Sequence, residues 1–391
     1  MEDYDVFNEM FLKSNKVVMI VEDDEKLFFE ISPFCEVMPL RFSYDISNFS
    51  DQYVVKTKGL FSYYFNTNNS YKNELLRLKK HFIHYQRYPF MLYISKKNTN
   101  YKIIKAICED LHIEYVTNKK LFIKKVKSDR KVFLIDSDGT LKNSNGVISA
   151  KNKDAIKQIK DSGDYAIICT ARPRYHTIKV MKESKANNLI ISFNGGEIYD
   201  LDNKKIVKSF FINKNITHKI IEDCFKLDIR VVISTEKFDF VTKEIRNKSQ
   251  QLLNKTNFID QLKKYKVQTI MVIDEKKEIV NTYKEKLKKS NKVTIINEKG
   301  KFDDYYEDWF VVGNKNSNKG VATKNISDYL GVPLYNIIAI GNDYNDISMF
   351  KESGISFAVN NSDIDVKKNA DHIVSSNEED PIMDVVNAIY R

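Results

Sequence analysis

Cysteine is scarce in this sequence, and its spacing excludes two common kinds of site. The 391 residues include four cysteines, which lie far apart and form no CxxC pair. Structural zinc sites and disulfide frameworks need clustered or regularly spaced cysteines, so neither is expected. A chain with a few isolated thiols fits a reducing compartment, and we expect a cytoplasmic location.

Long hydrophobic runs are also missing. No stretch approaches the roughly 18 consecutive apolar residues of a membrane span, so contact with a membrane is not expected. The first residues, MEDYDVFNEMF, are acidic and lack the basic and apolar regions of a secretory leader. With 42% hydrophobic residues, the chain has enough apolar side chains for two or three globular domains.

The formal net charge of +10 permits anionic partners but identifies none. Basic and aromatic side chains alternate within residues 61–130, an arrangement that can neutralise and stack on nucleic acid. These side chains are Lys79, Lys80, His81, Phe82, His84, Tyr85, Arg87, Tyr88 and Lys96. The same composition is typical of an ordinary domain with lysines on its solvent face, which we favour. Nucleic acid is therefore the less favoured partner.

Strand and helix patterns alternate along the chain, which predicts an α/β fold with a parallel sheet. The first 128 residues contain apolar runs typical of strands at Lys16–Val21, Phe90–Ile94 and Ile113–Thr117, with a helix pattern at Asn100–Leu111. We therefore expect residues 1–128 to fold as an α/β domain, whose role the sequence does not identify.

Further apolar runs, each followed by turn residues, are typical of buried parallel strands. They are residues 132–135, Tyr165–Cys169, Leu189–Phe193, Ile337–Ile340 and Ser356–Val359. We expect the run at Ser356–Val359 to be the last core strand. Residues 200–310 hold additional strand and helix patterns over a stretch far longer than an ordinary crossover. The sequence thus predicts a core formed by residues 129–199 and 311–391, interrupted by an inserted α/β domain at 200–310.

The stretch Lys131–Leu141, KVFLIDSDGTL, places two acidic residues directly after a buried strand. In open α/β sheets, ligands bind beyond the carboxyl ends of the strands. There, one carboxylate can attack as a nucleophile while the other transfers a proton or helps to hold a metal. Asp136 and Asp138 are therefore the candidate catalytic residues, although an Asp-Gly turn that only ends a strand would leave the same pattern.

Candidate phosphate-binding groups follow the next strand. Thr170, Ala171 and Arg172 come directly after Tyr165–Cys169. A threonine at a strand end can offer its hydroxyl and backbone N–H to a phosphate oxygen, and a guanidinium can add a bidentate contact. An ordinary turn with a surface arginine would look the same.

Two more stretches carry charged residues that suit a site for ions, one for an anion and one for a cation. Lys319 lies in the first turn of a predicted helix, where the helix dipole disfavours a cation unless an anion is close. The acidic turn GNDYND, residues 341–346, follows the strand at Ile337–Ile340. Such a turn suits Mg²⁺, which prefers hard oxygen ligands.

Four motifs, DSDGTL, CTARP, SNKGVA and IAIGNDYNDISMF, occur in the order found in the haloacid dehalogenase superfamily of phosphatases. The tail AVNNSDIDVKKNADHIVSSNEED also resembles the ending of that family. Over residues 130–391, the chain resembles the Cof-type group, in which a Rossmann-like core carries a large α/β cap of the C2 kind. The resemblance implies that residues 200–310 are this cap, and it leaves residues 1–128 without a recognised relative.

The resemblance implies a role for each motif residue. Asp136 would attack phosphorus and form an aspartyl-phosphate, and Asp138 would serve as general acid and base. Mg²⁺ would be held by Asp136, by the backbone carbonyl of Asp138 and by the acidic turn. The phosphoryl oxygens would be held by Thr170, Ala171, Arg172 and Lys319.

One position departs from the family pattern. The metal-binding turn usually reads GDxxND, whereas here Asn342 stands in place of the first acid, Asp343 follows it, and Asp346 is kept. An amide oxygen is a weaker ligand for Mg²⁺ than a carboxylate, and Asp343 is an alternative ligand. We therefore expect the metal affinity, rather than the type of reaction, to be affected.

The sequence thus predicts a Mg²⁺-dependent phosphomonoesterase that acts on a small phosphorylated metabolite, such as a sugar phosphate, a nucleotide or a cofactor phosphate. Two alternatives stay open. One is a phosphatase of nucleic-acid ends that uses the basic residues 61–130, which a steep salt dependence of binding would indicate. The other is a sensor or scaffold that binds a phosphoryl ligand without turnover. The sequence identifies neither the substrate nor the oligomeric state.

Overall fold

The computed structural model describes residues 101–242, 251–253, 255–274, 276–296 and 309–390. Before residue 101 it describes residues 72–73, 75–76, 91–94 and 96. It also describes the backbone alone of residues 17–21, 36–43, 54–57 and 60–66. The chain divides into two compact units. The first contains Met1–Lys131, Ile326–Ile338 and Glu352–Ile355, and the second contains Val132–Asn325, Ala339–Lys351 and Ser356–Arg391. Each unit is described by itself below.

The first unit contains a largely parallel sheet. Its strands are β1 Val17–Val21, β2 Glu36–Ser43, β3 Val54–Thr57, β4 Leu60–Asn66, β5 Met91–Ile94 and β6 Glu114–Val116. Their order is β3-β4-β2-β1-β5-β6, and the β3–β4 pair is antiparallel. The strands expected near residues 16–21, 90–94 and 113–117 are therefore confirmed, as is the helix, which spans Tyr101–Asp110. The basic and aromatic stretch at 79–88 lies outside the described residues.

The described core of the first unit combines apolar packing with one buried cation. The Tyr93 and Phe122 rings lie 5.0 Å apart between centroids, Phe122 belonging to the helix Lys119–Val126. Lys125 of the same helix is only 2% exposed, and its Nζ lies 3.0 Å from Glu114 Oε1 and 2.7 Å from Asp328 Oδ1. The second Glu114 oxygen accepts the backbone N–H of Leu334 at 3.0 Å. A buried charge needs such partners, because an unpaired one is costly to desolvate.

The core sheet has eight strands in the order β11-β10-β9-β8-β7-β18-β19-β20. These strands are β7 Val132–Ile135, β8 Tyr165–Cys169, β9 Leu189–Ser192, β10 Glu197–Asp200, β11 Lys205–Ser209, β18 Ile337–Gly341, β19 Ile355–Val359 and β20 His372–Val374. β7, β8 and β9 pair in parallel, and their side chains are almost entirely buried, as the apolar runs predict. The α/β fold class is confirmed.

One prediction about this sheet was wrong. β19 is not the last strand, because β20 pairs with it in parallel. β20 is a short edge strand whose His372 and Ile373 side chains are exposed. It therefore lacks the apolar run by which the other core strands were recognised.

Two helix ends in the core are formed by residues that the sequence predicts for them, Ser149 and Gly331. The helices of the core are Ala150–Asp161, Arg174–Ser184, Lys319–Leu330, Ile347–Glu352, Ile364–Lys367 and Pro381–Tyr390. The Ser149 side chain accepts the backbone N–H of Asn152 at 3.0 Å, which is the cap expected from the sequence. Gly331, with a φ of +69°, ends the helix that begins at Lys319.

Another sheet and core occupy the region of the long insertion. The strands are β12 Arg230–Thr235, β13 Asp239–Val241, β14 Gln251–Leu252, β15 Val267–Ile273, β16 Val293–Ile295 and β17 Trp309–Asn314, in the order β14-β13-β12-β15-β17-β16. The helices are Lys214–Leu227, Phe258–Leu262 and Lys277–Ser290. Ile221, Ile270 and Phe310 are completely buried in the core of this region. Among the residues that the structure describes, no helix combines the length and apolar character that crossing a membrane requires.

Candidate active site

Asp136 lies immediately after β7, at the edge of the core sheet where β18 also ends. Its backbone N–H donates to the carbonyl of Ile340 in β18 at 3.0 Å, which fixes the residue beside the acidic turn. The Asp136 side chain is 10% exposed. Burial raises the pKa of the Asp136 carboxyl to about 7, because the like charges of Asp346 and Asp138 add to desolvation and the Lys319 ammonium only partly opposes them.

Lys319 is completely buried and pairs with two carboxylates. Its Nζ lies 2.6 Å from Asp136 Oδ1 and 2.6 Å from Asp346 Oδ1. Burial alone would lower the pKa of Lys319, but the two carboxylates outweigh this effect and raise it, so the side chain is an ammonium. The cation at the start of the helix therefore has the anions that the sequence led us to expect, and they come from the protein itself.

The turn from Gly341 to Asp346 is organised by the Asp346 side chain. Its Oδ2 accepts the backbone N–H groups of Asn342 at 2.8 Å and Asp343 at 3.0 Å. A Cβ on Gly341 would come within 2.4 Å of this carboxylate, so the close approach requires glycine. The Asp343 side chain instead accepts the N–H of Tyr344 at 2.7 Å and caps the following short helix.

Asn342 is the residue of the turn that reaches the other strand end. One terminal atom of its amide lies 3.0 Å from the Asp138 carbonyl oxygen, 3.1 Å from Asp136 Oδ2 and 2.9 Å from Thr140 Oγ1. Gly139, with a φ of +79°, leaves room for this amide, because a Cβ there would lie 2.7 Å from Asn342 Nδ2.

These groups fit a hard divalent cation by their chemistry. A carboxylate oxygen of Asp136, the carbonyl of Asp138 and the amide of Asn342 converge on one place, and oxygen ligands of this kind suit Mg²⁺. Within the described part of the chain, no group of three or more His, Cys, Asp or Glu side chains is arranged to hold a metal. The donor set at this place accordingly includes a backbone carbonyl and a side-chain amide. Asp343 and Asp346 use their side chains for the contacts given above.

Asp138 is held by Arg172 in a bidentate ion pair. Arg172 Nη2 donates to Asp138 Oδ1 at 2.9 Å, and Nε donates to Oδ2. Both side chains are 44% exposed, so the pair lies at the mouth of the site. Arg172 was predicted to bind phosphate, and in this structure its guanidinium contacts the carboxylate predicted to act as general acid and base.

Thr170 ends β8 and is buried. Its backbone N–H, which the sequence analysis offered as a phosphate donor, donates to the carbonyl of Ile191 in β9 at 3.0 Å. Its hydroxyl oxygen accepts the backbone N–H of Arg172 at 3.3 Å. Ala171, which lies between them, is half-buried. The phosphate-binding roles of Thr170 and Ala171 stay predictions.

A cavity of about 470 Å³ is lined mostly by residues that the sequence analysis did not select. Its lining is rich in amides and hydroxyls and consists of Asn194, Thr294, Ile295, Ile296, Ser317, Asn318, Asp343, Tyr344, Asn345 and Ser348. The Asn345 amide donates to Asn194 Oδ1 at 3.0 Å, and the buried Ser317 hydroxyl makes no hydrogen bond within the described part of the chain. The position of Asn194 after β9 was a usable signal, because ligands bind at such strand ends.

Comparison with known proteins identifies the family. The model of the haloacid dehalogenase-like hydrolases matches residues 133–386. The 5-amino-6-(5-phospho-D-ribitylamino)uracil phosphatase YcsE of Bacillus subtilis is 27% identical over 262 residues, covering 65% of this chain and 93% of that protein. YwtE, a B. subtilis protein with the same phosphatase name, is 27% identical over 276 residues, covering 64% of this chain and 95% of that protein.

Solved structures agree on the fold. A haloacid dehalogenase-like hydrolase from Bacteroides thetaiotaomicron superimposes with a TM-score of 0.58 at 21% identity, covering 67% of this chain and 100% of that chain. The predicted Rossmann-like core and the predicted enzyme class are confirmed. Since the family model spans the strand-end motifs and the whole long insertion, the chain belongs to the Cof-type haloacid dehalogenase-like hydrolases.

Proposed function

We propose that this chain is a Mg²⁺-dependent phosphomonoesterase that hydrolyses a small phosphorylated metabolite through an aspartyl-phosphate on Asp136. The observation that carries the proposal is the buried Asp136 carboxylate at a strand end, 2.6 Å from the Lys319 ammonium. The second acid, Asp138, lies two residues further along the chain. The phosphatase names of the curated relatives support the same reaction.

Asp136 and Asp138 divide the reaction between them. The Asp136 carboxylate donates the electron pair of the new P–O bond while the bond from phosphorus to the leaving oxygen breaks. The Asp138 carboxyl gives its proton to the departing alkoxide, which leaves as an alcohol. The Asp138 carboxylate then takes a proton from water, whose oxygen attacks phosphorus. Inorganic phosphate leaves, and the carboxylate of Asp136 and the protonated Asp138 are restored.

Lys319 neutralises charge next to the nucleophile. An ammonium has three N–H donors, and two of those on Lys319 are directed to Asp136 and Asp346. One donor is left for a phosphoryl oxygen. In this buried position little water screens the positive charge of Lys319. The ammonium therefore stabilises the negative charge that builds up on the phosphoryl group.

The metal site of the proposal combines Asp136, the carbonyl of Asp138 and Asn342. When bound, Mg²⁺ would supply positive charge opposite the negative charge that develops on the phosphoryl oxygens. Both oxygens of Asp346 already accept hydrogen bonds, from Lys319 and from the backbone of the turn. Asp346 therefore orients the site, and Asp343 caps its short helix.

Arg172 positions the general acid. The bidentate pair holds both oxygens of Asp138, which fixes the plane of the carboxylate. Because both side chains are half-exposed, the pair can separate when the substrate arrives. Arg172 is then free to contact a phosphoryl oxygen. The Asp138 carboxylate, no longer paired with a cation, can take up the proton that it passes to the leaving group.

In this proposal the long insertion, predicted from the sequence at residues 200–310, acts as a cap over the core. Its sheet consists of β12 to β17 and ends at Asn314, whereas β11, inside the predicted limits, pairs into the core sheet. The Tyr175 hydroxyl of the core donates to Asp239 Oδ2 of β13 at 2.8 Å. Such a contact can hold the cap closed while the phosphoryl group reacts, which keeps bulk water away from the intermediate.

The polar cavity suggests the class of leaving group. Its lining offers the side-chain amides of Asn194, Asn318 and Asn345 and the hydroxyl of Ser317. Amides and hydroxyls both donate and accept, as the hydroxyls of a sugar or polyol do. The first substrates to test are therefore sugar phosphates and the phosphoribitylamino-uracil named for the relatives, followed by nucleotides and cofactor phosphates.

Phosphate release from p-nitrophenyl phosphate and this substrate panel, with and without Mg²⁺, tests the proposal. Wild-type protein should release phosphate in a metal-dependent manner, and Asp136→Asn should not. Asp161→Asn is a matched control, because Asp161 is an exposed acid that pairs with the surface residue Lys157. Equal activity in wild type and Asp136→Asn would overturn the proposal, and binding without turnover would favour the sensor or scaffold.

A further inference from the structure

The amide of Asn342 lies in an unusual position, because one of its terminal atoms contacts three oxygens. These are the Asp138 carbonyl oxygen at 3.0 Å, Asp136 Oδ2 at 3.1 Å and Thr140 Oγ1 at 2.9 Å. The carbonyl oxygen has no proton to donate, and neither has the ionised carboxylate of Asp136, which is the form that would hold a metal. The identity of the atom that faces them therefore decides whether these contacts attract or repel.

With nitrogen in that position, the acceptors of the site receive hydrogen bonds from the protein itself. The amide NH₂ then donates to the Asp138 carbonyl and to Asp136 Oδ2, and it also contacts Thr140 Oγ1. Buried acceptors without a donor are costly, so a protein without a bound cation favours this orientation.

With oxygen in that position, only the Thr140 hydroxyl remains as a donor, at 2.9 Å. The amide oxygen would face two other oxygens at about the separation that neighbouring ligands of one small cation adopt. An octahedral ion with ligands at about 2.1 Å brings adjacent oxygens to about 3.0 Å of each other. The observed distances of 3.0 and 3.1 Å therefore suit both states without movement of the backbone.

We propose that Asn342 is a two-state residue that takes the place of the cation when none is bound. Without a divalent ion, its amide nitrogen bonds the two oxygens that would hold the metal. When a divalent ion binds, the amide turns by half a rotation about its Cβ–Cγ bond and presents oxygen. This inference rests on the metal site of the proposed function.

The substitution Asn342→Asp separates the two states. An aspartate has the same shape but no N–H, so without metal its carboxylate faces Asp136 Oδ2 and the Asp138 carbonyl with nothing between them. With metal, the added charge makes it a stronger ligand. The variant should therefore be less stable than wild type in EDTA and should gain more stability from Mg²⁺.

The experiment measures thermal unfolding of the full chain in EDTA and in saturating Mg²⁺, together with Mg²⁺ affinity by calorimetry. In EDTA, Asn342→Asp should lower the Tm by at least about 3 °C. It should also bind Mg²⁺ about tenfold more tightly than wild type does, because a full charge replaces a dipole. Neither measurement depends on catalytic activity.

Asn325→Asp is the matched control. The Asn325 amide donates to the carbonyl of Val321 at 2.7 Å, so this variant also loses a donor to a carbonyl but does not touch Asp136. Its change in Tm should be the same in EDTA and in Mg²⁺. Equal effects of Mg²⁺ on Asn342→Asp and on Asn325→Asp would overturn the inference.

A double substitution keeps the inference testable if Asn342→Asp does not fold. In Asp136→Asn with Asn342→Asp, the donor and the acceptor exchange places, so the new amide can donate to the new carboxylate. This protein should recover part of the stability lost in EDTA, and no recovery would contradict the inference. If wild-type protein binds no Mg²⁺, the inference and the proposed metal dependence are both overturned. If wild-type protein binds Mg²⁺ and Asn342→Asp is as stable as wild type in EDTA, the inference alone is overturned.

Discussion

The ammonium of Lys319 lies 2.6 Å from Oδ1 of Asp136, although the two residues are 183 positions apart in the chain. Both side chains are buried, so each charge depends on the other for compensation. The same contact places a cation beside the Asp136 carboxylate, which we propose as the nucleophile that attacks phosphorus. Stability and catalysis are therefore joined at this pair.

Lys319→Ala should lower both the stability of the protein and its catalytic rate. It leaves the Asp136 and Asp346 carboxylates buried without their cation, and loss of one partner from a buried pair costs about 3–5 kcal/mol. The rate should fall at least about a hundredfold, because the phosphoryl charge loses its compensation. Urea unfolding and steady-state kinetics measure the two effects. Lys157→Ala, which removes an exposed partner of Asp161, should change neither, and an equal effect of the two substitutions would contradict this account.

Asp136→Asn and Asp138→Asn should each lower kcat at least about a hundredfold, as losses of a nucleophile and of a general acid–base do. Both changes keep the shape of the side chain, so far-ultraviolet circular dichroism should stay unchanged. Only Asp136 forms the covalent bond, so acid-quenched Asp136→Asn should contain no aspartyl-phosphate. A doubly substituted protein that stays active would rule out both roles.

Arg172→Ala should mainly affect catalysis. The guanidinium fixes Asp138 through two bonds at a half-exposed position, so its loss should lower kcat/KM by about tenfold or more with little change in stability. Arg172→Lys should recover little activity, because an ammonium cannot reproduce the bidentate geometry. Full activity in the lysine variant would show that charge alone is needed.

Lys125→Ala should destabilise the first unit. Lys125 is the buried partner of Glu114 and Asp328, and Glu114 is itself buried, so its charge would lose its main compensation. We expect a loss of about 3–5 kcal/mol in the unfolding of this unit. Lys125→Met combined with Glu114→Gln removes both charges and should recover part of the loss. Chemical denaturation, monitored by tyrosine fluorescence, measures the change in unfolding free energy. An unchanged midpoint in Lys125→Ala would refute the expectation.

Local features of this protein could be predicted from its sequence because they depend on neighbouring residues. The strands β7, β8 and β9 are short apolar runs that end in turn residues, and the Ser149 cap is a contact across three positions. The cation in the first helical turn at Lys319 indicated that an anion had to be near. β20 was missed because an exposed edge strand carries no apolar run.

The pairing of charges was decided by the tertiary structure. Which carboxylates meet Lys319, and that Arg172 contacts Asp138, depend on which strands are neighbours in the core sheet. The adjacency of β7 and β18 brings Asp136 next to the turn of Asn342, although the two residues are far apart in the chain. Residue types and local spacing determined the kinds of group available to this site. Strand order determined which of them meet, because distances of about 3 Å between polar atoms exist only after the sheet has assembled.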